Sequence, residues 1–248
     1  MSVLTSIKNI LKKENTIEKK SSEAYDLWAT DYDHQPSNLM LDLDKIIFNR
    51  LIGSIDVKNR SVADIGCGTG RHWEKIISKE PARLTGFDVS NGMLDKLKEK
   101  FRGAEVLQIK DDVFPEIPDA SFDILISTLT VAHIKKIEQA INAWCRNLKN
   151  TAEIILTDFH PQLLAHGGKR TFEHDHQHIS ITNFVHPVNK IKDLFYQNGF
   201  TVVAEEERMI NETVKEYYTS QNALHVYDKF KGLPVIYGLH LKRRDGNK

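Results

Sequence analysis

The chain has 248 residues, 34 Lys plus Arg against 34 Asp plus Glu, 40% apolar and 27% charged residues, and two cysteines. This is ordinary globular composition, which excludes a disordered or fibrous chain, and zero net charge argues against a basic surface that wraps nucleic acid. Cys67 and Cys145 make no disulfide framework and no CxxC motif, and the longest apolar stretch, residues 122–134, is too short for a bilayer, so the expectation is a cytoplasmic protein away from the membrane.

Val3, Leu4, Ile7, Ile10 and Leu11 recur at helical spacing and lead into a charged run over residues 12–20. The pattern predicts a short amphipathic helix and a solvated tether. Residues 22–33 read as a helix with Tyr25, Trp28, Ala29 and Tyr32 on one face, ended by Pro36. Residues 39–52 read as a second amphipathic helix closed by Gly53. An N-terminal helical cap over residues 1–55 is therefore expected on a core of residues 56–248.

Strands then alternate with single helices. Strands are expected at 61–65, 84–89, 105–109, 122–127 and 153–158, and helices at 72–78, 92–101 and 137–148. Largely apolar strands separated by amphipathic helices predict a parallel sheet covered on both faces, a doubly wound α/β domain. Residues 160–186 hold six histidines and the pair Gly167 and Gly168, and read as an inserted antiparallel hairpin. A helix at 189–198 stopped by Gly199, a strand at 200–205, one helix or two over 211–230 and a strand at 235–241 close the chain.

The most informative stretch is Asp64-Ile65-Gly66-Cys67-Gly68-Thr69-Gly70, a strand running into glycines at every second position before a helix. Glycine lets backbone approach a ligand, and a helix N-terminus offers free N–H groups. Neither register completes GxGxxG, and no Lys-Ser/Thr pair follows Gly70, so both phosphate readings are weak. Asp64 would repel phosphate but suits an α-amine or a sulfonium. Asp88, ending the second strand, is placed to take both hydroxyls of a ribose. Asp111 and Asp112 follow the third strand, where one can accept from an adenine amino group. Any one of these acids alone reads as a helix cap or solvated loop; three in phase mark one crevice.

These motifs, with Gly86-Phe87-Asp88-Val89-Ser90, Met93-Leu94 and Tyr25-Asp26-x-Trp28-Ala29-x-x-Tyr32-Asp33, resemble the class I S-adenosylmethionine-dependent methyltransferases. The small-molecule branch that includes ubiquinone and menaquinone biosynthesis enzymes is the nearest in look. The resemblance spans roughly residues 22–242. It implies a seven-stranded, mostly parallel sheet with an antiparallel last strand, and S-adenosyl-L-methionine as cofactor. By position, Asp64, Gly66 and Gly68 would hold the methionine end and Asp88 the ribose. Val89 and Met93 would flank the adenine, and Asp111, Asp112 and Val113 would meet its edge. Ser127, Thr128 and Leu129 would pass beneath the sulfonium, and Tyr32 would close on the methionine carboxylate.

His133 follows the fourth strand and is the candidate base, with a structural role weighed equally. Tyr25 and Trp28 are candidate substrate contacts. His174, His176 and His178 alternate, so on one strand they would share a face, lining an acceptor pocket or facing solvent; a metal site is the least favoured reading. The leading expectation is methyl transfer to a small molecule held between the N-terminal helices and the 160–186 insertion. The alternatives are a methyltransferase acting on RNA or protein, and a non-enzymatic cofactor-binding protein.

Overall fold

A computed structural model of the chain describes residues 16–110 and 117–244. The expected helix over the first residues, and Asp111, Asp112 and Val113, lie outside the described residues. The strands are β1 (Thr16–Lys19), β2 (Ser61–Ile65), β3 (Arg83–Asp88), β4 (Glu105–Gln108), β5 (Phe122–Thr128), β6 (Leu148–Phe159), β7 (Thr171–His174), β8 (Gln177–Ile181), β9 (Phe200–Met209) and β10 (Pro234–Arg243). The helices are α1 (Ser21–Trp28), α2 (Leu39–Gly53), α3 (Trp73–Ile77), α4 (Asn91–Lys100), α5 (Ile137–Arg146), α6 (Pro161–Ala165), α7 (Val188–Gln197), α8 (Lys215–Thr219) and α9 (Leu224–Phe230).

Seven strands form one sheet in the order β4-β3-β2-β5-β6-β10-β9. β2, β3, β4, β5 and β6 run parallel, and β10 is antiparallel to both β6 and β9. The chain winds outward from β2 through β3 to β4, then restarts on its other side at β5. This reversal opens a crevice at the carboxyl ends of β2 and β5.

Both sheet faces are dry, because successive residues of each strand feed opposite cores. Val62, Ile124, Ile126 and Ile155 pack with Ile47 and Phe48 of α2 and with Tyr227 and Phe230 of α9. Ala63, Ile65, Leu125 and Leu156 pack with Ile141 and Trp144 of α5 and Phe195 of α7. That alternation with burial on both sides is what near-continuous apolar strands require. α2 can lie close on β10 only because position 238 is glycine: a Cβ there would fall 2.3 Å from Ile47 Cγ2.

A third, smaller core joins α1 to a separate three-stranded sheet, ordered β1-β8-β7. Two expectations are corrected here. Residues 16–19 are not tether: they form β1, which pairs in parallel with β8, Ile17 opposite Ile179. The hairpin itself is present, β7 against β8, but its turn falls within the histidine run. Asp175 and His176 adopt φ of 47° and 61°. His174, His176 and His178 are therefore strand end, turn and opposite strand, and share no face. β6 and β9 also run longer than expected, since ladder partners carry polar residues that the apolar pattern omits. Over residues 211–230, where one helix or two was expected, two short helices form.

Candidate active site

The glycine loop leaves β2 with φ of +69° at Gly66 and +53° at Gly68, a region costly for other residues. A Cβ at Gly66 would sit 2.0 Å from Thr130 Oγ1, so the loop passes hard against the β5 exit. Gly66 and Cys67 donate their N–H groups to Phe87 O at 2.7 and 3.1 Å, which pins the loop to β3. Beyond it opens a cavity of about 730 Å³. Its walls include Gly66, Gly68, Asp88, Val89 and Met93 on one side, Thr128, Leu129 and His133 on another, and Tyr25 and Tyr32 from the cap. Leu129 holds φ of 55° without being glycine, backbone strain located in the cavity wall.

Asp88 is 7% exposed and lines this cavity. Its Oδ2 accepts from Gly68 N and its Oδ1 from Ser90 N, both at 2.8 Å. Val89 N–H is a third backbone donor, and the carboxylate keeps acceptor capacity toward the cavity, since its two oxygens offer about four lone-pair sites. Burial pushes its pKa up to about 6 despite those N–H donors. Asp64 lies at the end of β2 but not on the cavity wall. Its Oδ2 accepts from Trp73 Nε1 at 2.8 Å, and burial raises its pKa to about 7.

On the cap side, His133 and Tyr25 form a defined pair. His133 Nδ1 lies 3.2 Å from Thr182 O, a carbonyl that can only accept, so Nδ1 carries the proton. Nε2 is then the acceptor, and Tyr25 Oη donates to it at 2.9 Å. Burial first, then the nearby Arg170 charge, lowers the His133 pKa to about 4, so the ring is neutral above that pH. Thr182 and Phe184, which follow β8, complete this wall, and Phe184 N donates to Ala132 O at 2.7 Å.

The cap is clamped to the loops beneath it. Asp26 Oδ1 accepts from Ser90 Oγ at 2.6 Å and Gly92 N at 2.9 Å, and Thr69 Oγ1 donates to Asp33 at 2.7 Å. Arg170 lies behind the cap, 6% exposed, with its guanidinium 5.1 Å from the Trp28 ring centroid and 5.6 Å from those of Tyr25 and Tyr32.

The structure thus brings Tyr25, Tyr32, Gly66, Gly68, Asp88, Val89, Met93, Thr128, Leu129 and His133 to one cavity. It does not bring Asp64, Ser127 or Trp28 to the wall: Ser127 is fully buried and Trp28 stacks on Phe172 at 4.4 Å. His174, His176 and His178 are also away from the cavity, the second exposed in its turn. No group of three or more His, Cys, Asp or Glu side chains with metal-binding geometry occurs among the described residues. Sequence reading missed Thr182 and Phe184, which only chain reversal delivers, and Arg170, which no local pattern marks. Asp158 was also missed, although it ends a strand like Asp64 and Asp88. It accepts from Ala132 N at 2.6 Å and Phe159 N at 2.7 Å, and so anchors the His133 turn.

Residues 63–156 match the methyltransferase domain family. A malonyl-[acyl-carrier protein] O-methyltransferase of Priestia megaterium is 27% identical over 153 residues, 61% of this chain and 52% of that protein. A ubiquinone/menaquinone biosynthesis C-methyltransferase of Campylobacter jejuni is 28% identical over 108 residues, 41% of this chain and 46% of that protein. The matches to such curated relatives span about half of their length or less. Among solved structures, the magnesium protoporphyrin IX methyltransferase of Synechocystis PCC 6803 with bound SAH superposes with a TM-score of 0.60 at 15% identity, covering 90% of this chain and 95% of that one. At that identity the likeness is one of fold.

Proposed function

Because the chain carries a methyltransferase domain on the class I fold, we propose that it transfers a methyl group from S-adenosyl-L-methionine to a small-molecule acceptor. The observation that carries this reading is Asp88: a buried carboxylate at a strand end, on the cavity wall, held by the backbone N–H groups of Gly68, Ser90 and Val89 with acceptor capacity left toward the cavity. The residues present fit the cofactor. A two-hydroxyl acceptor stands beside a loop whose Gly66 a Cβ would block, and Val89 and Met93 offer apolar walls for a flat ring. When bound, the cofactor supplies an electrophilic methyl carbon on a sulfonium leaving group.

The chain's own work is to hold, orient and exclude water. Gly66, Gly68, Asp88, Val89 and Met93 would hold the adenosyl portion, with Tyr32 toward the carboxylate end. Thr128 and Leu129 would border the reacting centre. Asp64 would act through the loop, its charge beneath the cationic end, rather than by touching the ligand. Tyr25 and His133 are the candidate proton-handling pair. His133 is neutral with Nε2 facing Tyr25 Oη, so Tyr25 can take a proton from an acceptor while passing its own to His133; because burial lowers the His133 pKa to about 4 and raises that of Tyr25, the pair suits an acceptor that is itself acidic.

The small-molecule acceptor is favoured by the cap, since Tyr25 of α1 with Thr182 and Phe184 narrows the cavity on the side of His133. It is also in keeping with the ubiquinone/menaquinone biosynthesis C-methyltransferase among the relatives. Turnover with methyl-labelled cofactor against small-metabolite pools, total RNA and total protein tests it. Label should move into the small-molecule fraction only, and transfer should fall by about 10²-fold or more in Tyr25→Phe. Label in RNA or protein alone would contradict the acceptor class.

A further inference from the structure

The cavity meets solvent at a rim that carries the exposed side chains of Lys20, Lys135 and Lys136. Lys20 lies far from the other two in sequence, and residues 182–186 draw them together. Thr182 N donates to Lys19 O at 2.9 Å, and Thr182 O lies 3.2 Å from His133 Nδ1. Phe184 N donates to Ala132 O at 2.7 Å, and His186 Nε2 donates to Ile134 O at 2.7 Å. The residue before α1 and the two residues before α5 therefore edge one opening.

None of the three lysines forms an ion pair among the described residues, in a chain whose net charge is zero. The neighbouring acids are engaged elsewhere. Glu23 pairs with Lys19 at 3.8 Å, and Glu18 pairs with Lys169 at 3.7 Å and accepts from the Thr182 hydroxyl at 3.0 Å. Glu138, next along the chain, is not on the wall. Asp88, the one described carboxylate on the wall, stands at the ribose end beside β4, and Lys110 follows that strand. Like charges at the mouth of a cleft raise its potential and draw anions in. Inward from the lysines the wall is apolar at Ile134, Ala140 and Phe184, with the hydroxyls of Ser21 and Ser22 beside Lys20. The Tyr25–His133 pair on the same wall is a weak base, since burial holds His133 near about 4, and so serves an acidic acceptor.

We infer that Lys20, Lys135 and Lys136 form a specificity subsite for an acceptor that carries an oxyanion, a carboxylate or a phosphate, at the rim and an apolar body within. The inference deepens the proposed function and rests on it. The anchored group is not the atom methylated, so it persists in the product. An ammonium on a flexible stem reads charge more than shape, so these lysines accommodate either oxyanion.

Methyl-labelled cofactor and a small-metabolite pool are given to four proteins. These are wild type, the Lys20→Gln, Lys135→Gln, Lys136→Gln triple variant, the matching triple Arg variant, and Lys75→Gln, an exposed lysine outside the cavity. The labelled product of wild type is expected to bind an anion-exchange resin at about pH 7. Phosphatase treatment frees it if the anion is a phosphate monoester and leaves it bound if it is a carboxylate. With the active fraction as acceptor, the triple Gln variant should raise KM about tenfold and keep kcat within about threefold. The triple Arg variant and Lys75→Gln should stay near wild type. Raising salt from about 0.05 to 0.5 M should raise KM in wild type and leave the triple Gln variant little changed. S-adenosylhomocysteine should bind all four proteins alike in calorimetry.

A product that passes the resin, or a KM unmoved in the triple Gln variant, overturns the inference and leaves the proposed transfer standing. S-adenosylhomocysteine weakened in that variant puts the lysines at the cofactor and also overturns it. Label in RNA that is lost in the triple Gln variant assigns the lysines to a polymer, against both readings. Wild type that moves label into no fraction sinks the proposed function and this inference with it.

Discussion

Asp88 shows how one side chain joins fold and chemistry. Its carboxylate ties the glycine loop to the N-cap of α4 through Gly68 N and Ser90 N, and the same group faces the cavity. Burial lifts its pKa from 3.8 to about 6, and that of Asp64 to about 7. In the ligand-free protein both groups hold protons that the unfolded chain has already lost. Between about pH 4 and 7 they therefore make the fold less stable as pH rises. Hydroxyl donors on Asp88, and a cation near Asp64, favour the ionised forms. Binding should accordingly release protons and strengthen as pH rises from about 5 to 7. Titration of S-adenosylhomocysteine at pH 6 in two buffers of different ionisation enthalpy reads this directly. Proton release is expected in wild type and a smaller release in Asp88→Asn; proton uptake, or none, would contradict the assignment. These acids were legible in sequence because strand ends in a parallel sheet all open on one edge. Whether an acid touches the cavity or lies beneath it was not, since that depends on the indole of Trp73 nine residues on.

Among the elements, the cap differs most from what the sequence pattern led us to expect. The alternating histidines implied one strand face, but alternation holds only while the chain stays extended, and Asp175 and His176 turn it. What the hairpin contributes is apolar: Phe172 is 3% exposed and stacks on Trp28 with planes 5° apart. β1 was read as tether because its four residues, Thr-Ile-Glu-Lys, are mostly polar. They form a strand because β8 offers a free ladder edge, a tertiary partner that no local window contains. Phe172→Ala should destabilise by about 3 kcal/mol or more. His176→Asn, which keeps a residue tolerant of positive φ, should stay within about 0.5 kcal/mol of wild type. Urea unfolding measures both, and the reverse order would put the weight of the hairpin on its histidines.

At the scale of the whole molecule, sheet order locates the site. β2 and β5 are neighbours whose connections leave in opposite directions, so a crevice must open between their carboxyl ends. The glycine loop fills its floor, and α1 with residues 182–184 roofs it. Apolar periodicity was enough to foresee a doubly wound domain and the strand-end acids a crevice along one edge, whereas the seven strands with an antiparallel last one were implied only by the family resemblance. The roof was only partly foreseen: Tyr25 and Tyr32 came from the N-terminal motif, whereas Thr182 and Arg170 reach it by a reversal of the chain far along the sequence. If this crevice is an adenosyl site, a crystal structure with S-adenosylhomocysteine will show both ribose hydroxyls within about 3.2 Å of the Asp88 carboxylate and the amino-acid end beside the Tyr32 hydroxyl. Ligand density elsewhere, with Asp88 still facing an empty crevice at saturating concentration, would contradict it.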